Sequence, residues 1–413
     1  MTSNCNYIFK SGKRRGERCE IETSERNIFC KRHIKKSVDV INNASNFDTI
    51  ETLQTKLMHL DTTLENKSII TKKFRYITLL PSHCTEYQKN VNWLRNALNF
   101  PYNTIIKTPV DLNSSNEEIS NYVSSVYNKL DSYIYGMNDV KEELMSFVCK
   151  RISNPESSNH ILALQGNNGV GKTRMAHGLA QALDLPIRTI NLGSVTDVSY
   201  FTGHSFTFVD SEVGRIVQIL NEVRCKNCII YFDELDKIHE TSKGQSIYSF
   251  LTHLIDTSQN EKYQDMYLSG INLDLSKVFF IFSFNDENLI DKTVKDRLKI
   301  LYIKDPSIET QIEITNRFII PEILKNLNFT CDNTALSREL LHKIISNNKT
   351  NTSLRYIRKI IDDIFSKLNI IRMLNNEESK KISFYNNDID QMINNIINQN
   401  IKKEDDSFAM MYM

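Results

Sequence analysis

The segment "ILALQGNNGVGKTRMAHGLAQAL", residues 161–183, restricts the possible folds of this chain more than any other stretch. Gly166, Asn167, Asn168, Gly169, Val170, Gly171, Lys172 and Thr173 spell GxxxxGK[ST], directly after a short apolar run and directly before an amphipathic helical pattern. In that setting the glycines let successive backbone N–H groups turn inward around an anion, and the open end of the following helix adds its positive pole. Lys172 is placed to reach the outer phosphates of a nucleoside triphosphate such as ATP, and Thr173 to ligate Mg²⁺. A strand, a glycine loop and a helix in this order call for an α/β sheet around them.

The rest of that sheet is legible as short apolar runs rich in Ile and Phe: "ILALQG" (161–166), "IRTINLG" (187–193), "CIIYFDEL" (228–235), "KVFFIFSFN" (277–285) and "LKILYI" (298–303). Runs of this length and character, separated by amphipathic segments, suit the five buried strands of a parallel sheet flanked by helices. Beyond residue 304 the pattern turns helical. In "SLRYIRKIIDDIFSKLNIIRML" Leu354, Ile357, Ile361, Ile364, Phe365 and Leu368 share one face. Ahead of the sheet, Ile50, Leu53, Leu57, Leu60 and Leu64 recur at helical spacing, and a further helix is expected through Tyr122 to Leu130. The expected organisation is a Cys/His module over 1–37, a mostly helical connector over 38–128, a nucleotide-binding α/β domain over 129–304, a helical lid over 305–401 and a disordered tail over 402–413.

Composition removes several classes. With 40% hydrophobic residues, wholesale disorder is not the default, and a formal net charge of +1 does not suit a protein that coats DNA with a polybasic surface. No apolar stretch approaches the ~18 residues a membrane span needs, and "MTSNCNYIFKSGKRRGERC" lacks the core of a signal peptide. A soluble cytoplasmic protein without a membrane partner is the expectation. Eight cysteines in such a chain are read as thiols or metal ligands, not as a disulfide framework.

Within the α/β region, "IIYFDELD" delivers Asp233 and Glu234 to the end of a hydrophobic strand, where parallel sheets bind their ligands. Asp233 is suited to position Mg²⁺, and Glu234 to polarise an attacking water as general base. Asn285, ending "IFSFN", is suited to hold that water. Arg297 in "VKDRLKI" and Arg355 in "TSLRYIRK" are candidates for stabilising transition-state charge and for reporting nucleotide state to the lid.

These residues carry a family resemblance. The chain resembles the AAA+ ATPase module of Lon proteases in "NWLRNALNFPYN", where Pro101 is kept and Tyr102 replaces a tryptophan, and in "YIYGMNDVKEELMSF", where Tyr135 and Gly136 stand where Lon frames the adenine. It continues through "GSVTDVSYFTGHSFTFVDSEVGRIVQIL", "YFDELDKI", "DMYLSGINLDLSKVFFIFSFND" and "VKDRLKI", over roughly residues 90–400. The resemblance implies a P-loop AAA+ fold with a helical lid, Asn285 as first sensor, Arg355 as second sensor, and Arg297 as a finger acting on a neighbouring subunit. A finger acting in trans implies a homo-oligomeric ring, expected to be a hexamer. Phe208 and Val209 stand where that family grips a threaded polypeptide in the central pore, with Asp210 in place of the usual glycine; the alternative is that Phe208 packs into the core. The sequence stops where the protease of that family would begin, so no proteolysis is expected, and a separate docked protease is one imagined partner.

The amino-terminal segment stands apart. Cys5, Cys19, Cys30 and His33 are suited to a closed tetrahedral Zn²⁺ shell that would supply much of the folding energy of so short a module. Unrelated thiols are the alternative. The module resembles Cys/His elements of large DNA viruses, in line with an Asn-, Ile- and Lys-rich composition, and virion association would follow from such a source. Cys225 and Cys228 form a second CxxC, best explained as a buried strand start. The expected function is an ATP-hydrolysing protein remodeller or unfoldase with polypeptide clients; the rivals are a nucleic-acid-remodelling motor tethered by the basic zinc module, and a nucleotide-gated scaffold.

Overall fold

The computed structural model describes residues 3–4, 22–23, 49–155, 160–238, 241–328, 336, 338–346 and 353–374. The proposed zinc ligands Cys5, Cys19, Cys30 and His33 lie outside the described residues, as do the tail and the end of the expected lid, residues 375–401. Among the described residues no group of three or more His, Cys, Asp or Glu side chains is arranged to hold a metal ion. None of the described helices is long and apolar enough to cross a membrane. The chain divides into two compact units, Met1–Asn99 and Phe100–Met413.

In the first unit, β1 (Ser3–Asn4) pairs antiparallel with β2 (Glu22–Thr23), and the described residues add the helices α1 (Ile50–Met58), α2 (Leu64–Leu79) and α3 (Thr85–Asn99). Thr49 and Thr63 cap α1 and α2 by accepting hydrogen bonds from the backbone N–H groups of Thr52 and Asn66. Leu53, Leu57, Ile70, Ile77, Val91 and Leu94 are buried at three-, four- and seven-residue spacings. The apolar series expected from Ile50 to Leu64 runs across a break. α1 stops at Met58, Thr63 starts the next helix, and Leu64 is 87% exposed.

The second unit is built on five parallel strands, β3 (His160–Gln165), β4 (Ile187–Asn191), β5 (Ile229–Asp233), β6 (Phe279–Phe284) and β7 (Ile300–Tyr302), in the order β4-β5-β6-β3-β7. The period of two sorts their side chains onto two cores. Leu162, Leu164, Tyr231 and Ile281 face a cluster that includes α4 (Asn116–Tyr133), α5 (Asn138–Ser153) and α6 (Lys172–Ala182). On the other face Phe232 stacks on Phe282 with ring centroids 4.9 Å apart, and Phe201 stacks on Phe250 at 4.9 Å. Ser115 and Glu118 form a reciprocal capping box at the start of α4. Cys225 and Cys228 are both buried just before β5, and burial raises both thiol pKa values.

The helical subdomain comprises α7 (Ile308–Ile314), α8 (Ile320–Asn326), α9 (Arg338–Ser346) and α10 (Leu354–Leu374), with a π turn at Thr315–Ile319 between the first two. Pro321 explains the π turn. It has no N–H to return to the carbonyl four residues back, so the ladder widens before it. Ile357, Ile361, Ile364, Phe365 and Leu368 of α10 fill the core of this subdomain.

Candidate functional site

Because β5, β6 and β3 are neighbours in the sheet, their carboxyl ends bring three separate sequence segments together. A cleft of about 620 Å³ opens there, between the sheet and the helical subdomain, and Lys172, Thr173, Asp233, Glu234, Asn285 and Arg355 all line it. Gly169 and Gly171 lie at φ +83° and +104°, and Gly171 stands as N-cap of α6 with no side-chain hydrogen bond to the first turn. The N–H groups of that turn therefore need an outside acceptor. The glycines have separate reasons. A Cβ on Gly166 would come within 2.8 Å of the Ile303 carbonyl oxygen, whereas one on Gly171 would meet nothing within 4 Å, leaving backbone conformation and access for an anion as its constraints. Val170 is buried beneath the loop, Asn168 lines the cleft, and Asn167 donates to Asp305 Oδ2 at 2.7 Å.

Lys172 Nζ donates to the carbonyls of Gly166 (2.6 Å) and Asn167 (3.0 Å) and to Asn285 Oδ1 (2.7 Å). Burial pulls its pKa below the usual lysine value, while Asp233 and Asp236 push it back. Asp236, which the sequence reading passed over, is buried, and its Oδ2 accepts from the backbone N–H groups of Asn285 and Asp286, both at 3.3 Å. It thereby fixes the end of β6 from which Asn285 projects. Glu234 follows β5 in a left-handed conformation, φ 62° and ψ 47°, a strained choice for a non-glycine residue that turns its side chain out of the strand's alternation. Gly193 leaves room for it: a Cβ there would lie 2.8 Å from Glu234 Oε2.

Asp233 accepts hydrogen bonds on Oδ1 from Ser283 Oγ, from Tyr231 Oη at 3.2 Å and from the Glu234 N–H at 3.1 Å. Oδ2 carries none of these. With the Thr173 hydroxyl, it offers hard oxygen donors of the type Mg²⁺ takes. The residues present thus fit a magnesium nucleotide. Tyr231 and Ser283 were not picked out from sequence, because both sit inside apolar strand runs.

The rim adds groups that the motifs do not announce. Arg358 makes a bidentate pair with Glu322, at 2.7 and 3.1 Å, and both line the cleft beside Arg355. Arg174 donates to the Tyr133 carbonyl at 3.0 Å and lies 4.5 Å from the Phe318 ring centroid. Tyr135 lines a small adjoining hollow with Tyr133 and Phe318, and Arg317 lies over its ring at 4.7 Å. Gly136, at φ +66°, follows it without lining either space. Arg317 and Phe318 both come from the π turn.

Arg297 and the pair Phe208 and Val209 also stand outside the cleft. Arg297 is 42% exposed, donates to the Thr293 carbonyl at 2.9 Å and lies 3.9 Å from Asp256. Phe208 and Val209 are 64% and 88% exposed on a loop of turns, not in a strand, and Asp210 holds φ +55°. The neck of that loop is clamped. His204 N–H bonds the Glu212 carbonyl at 3.2 Å, and buried Asp265 accepts from the N–H groups of Gly214 (2.7 Å), Tyr267 (2.9 Å) and Leu268 (3.2 Å). Burial pushes the Asp265 pKa up to about 6 against the opposing pull of those three donors.

Comparison with known proteins agrees with this geometry. Residues 162–305 match the ATPase family associated with various cellular activities (AAA). A Lon protease homolog of Acanthamoeba polyphaga mimivirus is 32% identical over 273 residues, which are 64% of this chain and 27% of that protein. The Lon protease of Halothermothrix orenii is 28% identical over 319 residues, 77% of this chain and 39% of the other. The mitochondrial Lon protease homolog of Drosophila melanogaster is 27% identical over 301 residues, 73% and 28% respectively. The chain thus spans between 27% and 39% of the length of these three relatives. With its five parallel strands, its glycine loop and its acidic strand end, the chain carries an AAA+ ATPase module of the Lon type.

Proposed function

We propose that this protein binds and hydrolyses Mg·ATP and uses the cycle to remodel or unfold polypeptides. The observation that carries the proposal is the convergence of Lys172, Thr173, Asp233, Glu234, Asn285 and Arg355 on one cleft from four separate stretches of chain. In this reading the loop Gly166–Thr173 and the start of α6 hold the phosphates, with Lys172 moving from its loop carbonyls onto the outer ones. Thr173 and Asp233 would hold Mg²⁺, which would draw charge from the phosphates when bound. Glu234 takes a proton from the attacking water, Asn285 orients that water, and Arg355 reports the phosphates to the helical subdomain. Tyr135 and Gly136 frame the base.

Arg297, lying outside its own cleft, is assigned to a neighbouring subunit's nucleotide, which makes a homo-oligomeric ring, as in the Lon family, part of the proposal. Peptide-bond cleavage is no part of the activity proposed for these residues. Structural Zn²⁺ on Cys5, Cys19, Cys30 and His33 likewise remains a proposal, testable by metal analysis of the purified protein with and without Cys30→Ser.

Phe208 and Val209 are proposed as the grip on the polypeptide. Their exposure, 64% and 88%, supports this over a core role, because a core side chain would be buried. Phe208→Ala is therefore expected to lower ATP-driven unfolding of a tagged fluorescent substrate about tenfold, while ATP hydrolysis without substrate stays within about twofold. Unfolding at the wild-type rate would remove polypeptide threading from the proposal.

A further inference from the structure

The hydroxyl of Tyr231 lies behind the cleft, among the groups just assigned to the metal and the phosphates, yet none of the motifs accounts for it. Its neighbours in β5, Ile229, Ile230 and Phe232, are apolar, and all four side chains are fully buried. Phenylalanine would fill the same core. What the tyrosine adds is one oxygen, and that oxygen lies 3.2 Å from Thr173 Oγ1, 3.2 Å from Asp233 Oδ1 and 2.9 Å from Ser283 Oγ. Ser283 in turn bonds Asp233 Oδ1.

The proton count orders this network. An ionised aspartate only accepts, a phenol has one proton to give, and each aliphatic hydroxyl has one as well. Ser283 gives its proton to Asp233 Oδ1. Tyr231 gives its own to the same carboxylate or to Ser283, which leaves the phenol oxygen to accept from Thr173. The chain of donors therefore runs from Thr173 through Tyr231 to Asp233. A phenol keeps its proton throughout the neutral range, so the donor is present there. With its proton directed at Tyr231, Thr173 turns its lone pairs toward the cleft. With Oδ1 occupied, Asp233 offers Oδ2.

Resting on the Mg·ATP reading of the cleft, we propose that Tyr231 is a positioning residue that presets Thr173 and Asp233 for the divalent cation. It touches neither the nucleotide nor the reacting atoms. Its effect is to remove the reorientation that both oxygen donors would otherwise undergo when the cation arrives, and that effect belongs to the metal-linked part of nucleotide affinity alone.

The test is binding of a fluorescent non-hydrolysable ATP analogue to the full chain, titrated once in EDTA and once in Mg²⁺. Tyr231→Phe is expected to leave the EDTA affinity within about twofold of wild type and to reduce the Mg²⁺-linked gain in affinity about tenfold, the scale of one lost hydrogen bond to a charged group. Mn²⁺, which binds such sites more tightly than Mg²⁺, should recover part of the loss. A Mg²⁺-linked gain equal to wild type overturns the proposal, whatever happens to thermal stability, because a purely structural phenol would move stability and not metal linkage. Should Tyr231→Phe fail to fold, Ser283→Ala carries the same test: it removes the other hydroxyl on Oδ1 and is expected to reduce the gain about threefold, an unchanged gain again being fatal. If the wild type itself gains no affinity from Mg²⁺, the reading of the cleft fails and takes this proposal with it; if only the variants match the wild type, the cleft stands and the role of Tyr231 alone is lost.

Discussion

Glu234→Gln is expected to slow steady-state ATP hydrolysis by at least about a hundredfold while leaving nucleotide affinity within about threefold of wild type. The two side chains have nearly the same shape, so the fit against Gly193 survives, and the backbone strain at φ 62° is common to both. What disappears is a base, and positioned general bases contribute roughly 10²–10⁴ in rate. Binding rests elsewhere, on the loop amides, Lys172 and the Thr173 and Asp233 oxygens. Coupled-enzyme turnover and fluorescent-nucleotide titration on the same preparations separate the two quantities. Equal, slow hydrolysis by both proteins would end the motor reading and favour a scaffold gated by nucleotide binding. The variant also tests assembly, since ATP that is bound and not hydrolysed should hold subunits together. If mass photometry finds monomers alone under those conditions, Arg297 has no neighbour to act on.

What could be foreseen from sequence follows how each residue is constrained. The central strands β5 and β6 were readable because a strand buried on both faces must be nearly all apolar, as "FFIFSF" is apart from Ser283. The phosphate loop was readable because few residue types tolerate φ +83° and +104° beside an anion. The same rule hid Tyr231 and Ser283: in a run that has to be apolar, one hydroxyl passes as a tolerated exception, and only the register of β5 against β6 shows both oxygens meeting at Asp233. Asp236 was hidden differently, as a third acid in "DELDK" whose task is to hold two backbone N–H groups of another strand. Arg174, Phe318 and Arg317 depend on a π turn that follows from Pro321, and no periodic pattern announces such a turn. The break after α1 was missed because apolar residues on either side of it kept helical spacing by coincidence.

Gly214→Ala is expected to cost about 3 kcal/mol or more, the upper range for forcing atoms into a packed site, and to lower the thermal midpoint by about 5 °C or more. The reason is not backbone conformation, since Gly214 lies at φ −65°, where any residue is comfortable. A Cβ at this position would stand 1.8 Å from the carbonyl oxygen of Phe201 and 2.7 Å from the Gly203 N–H nitrogen, both main-chain atoms with no rotamer to yield. Relief requires the neck of the Phe208 loop to spread. Spreading would break the 2.7 Å bond from the Gly214 N–H to Asp265 and leave a buried carboxylate short of one of its three donors. Gly171→Ala makes the contrast. With open space around its Cβ, it pays about 1–2 kcal/mol for φ +104° and should lose nucleotide binding more than stability. Scanning calorimetry and nucleotide titration on the two variants should therefore give opposite rankings. A Gly214→Ala protein that melts with the wild type would mean that the neck is loose, and a loose neck could not hold Phe208 out against a pulled chain.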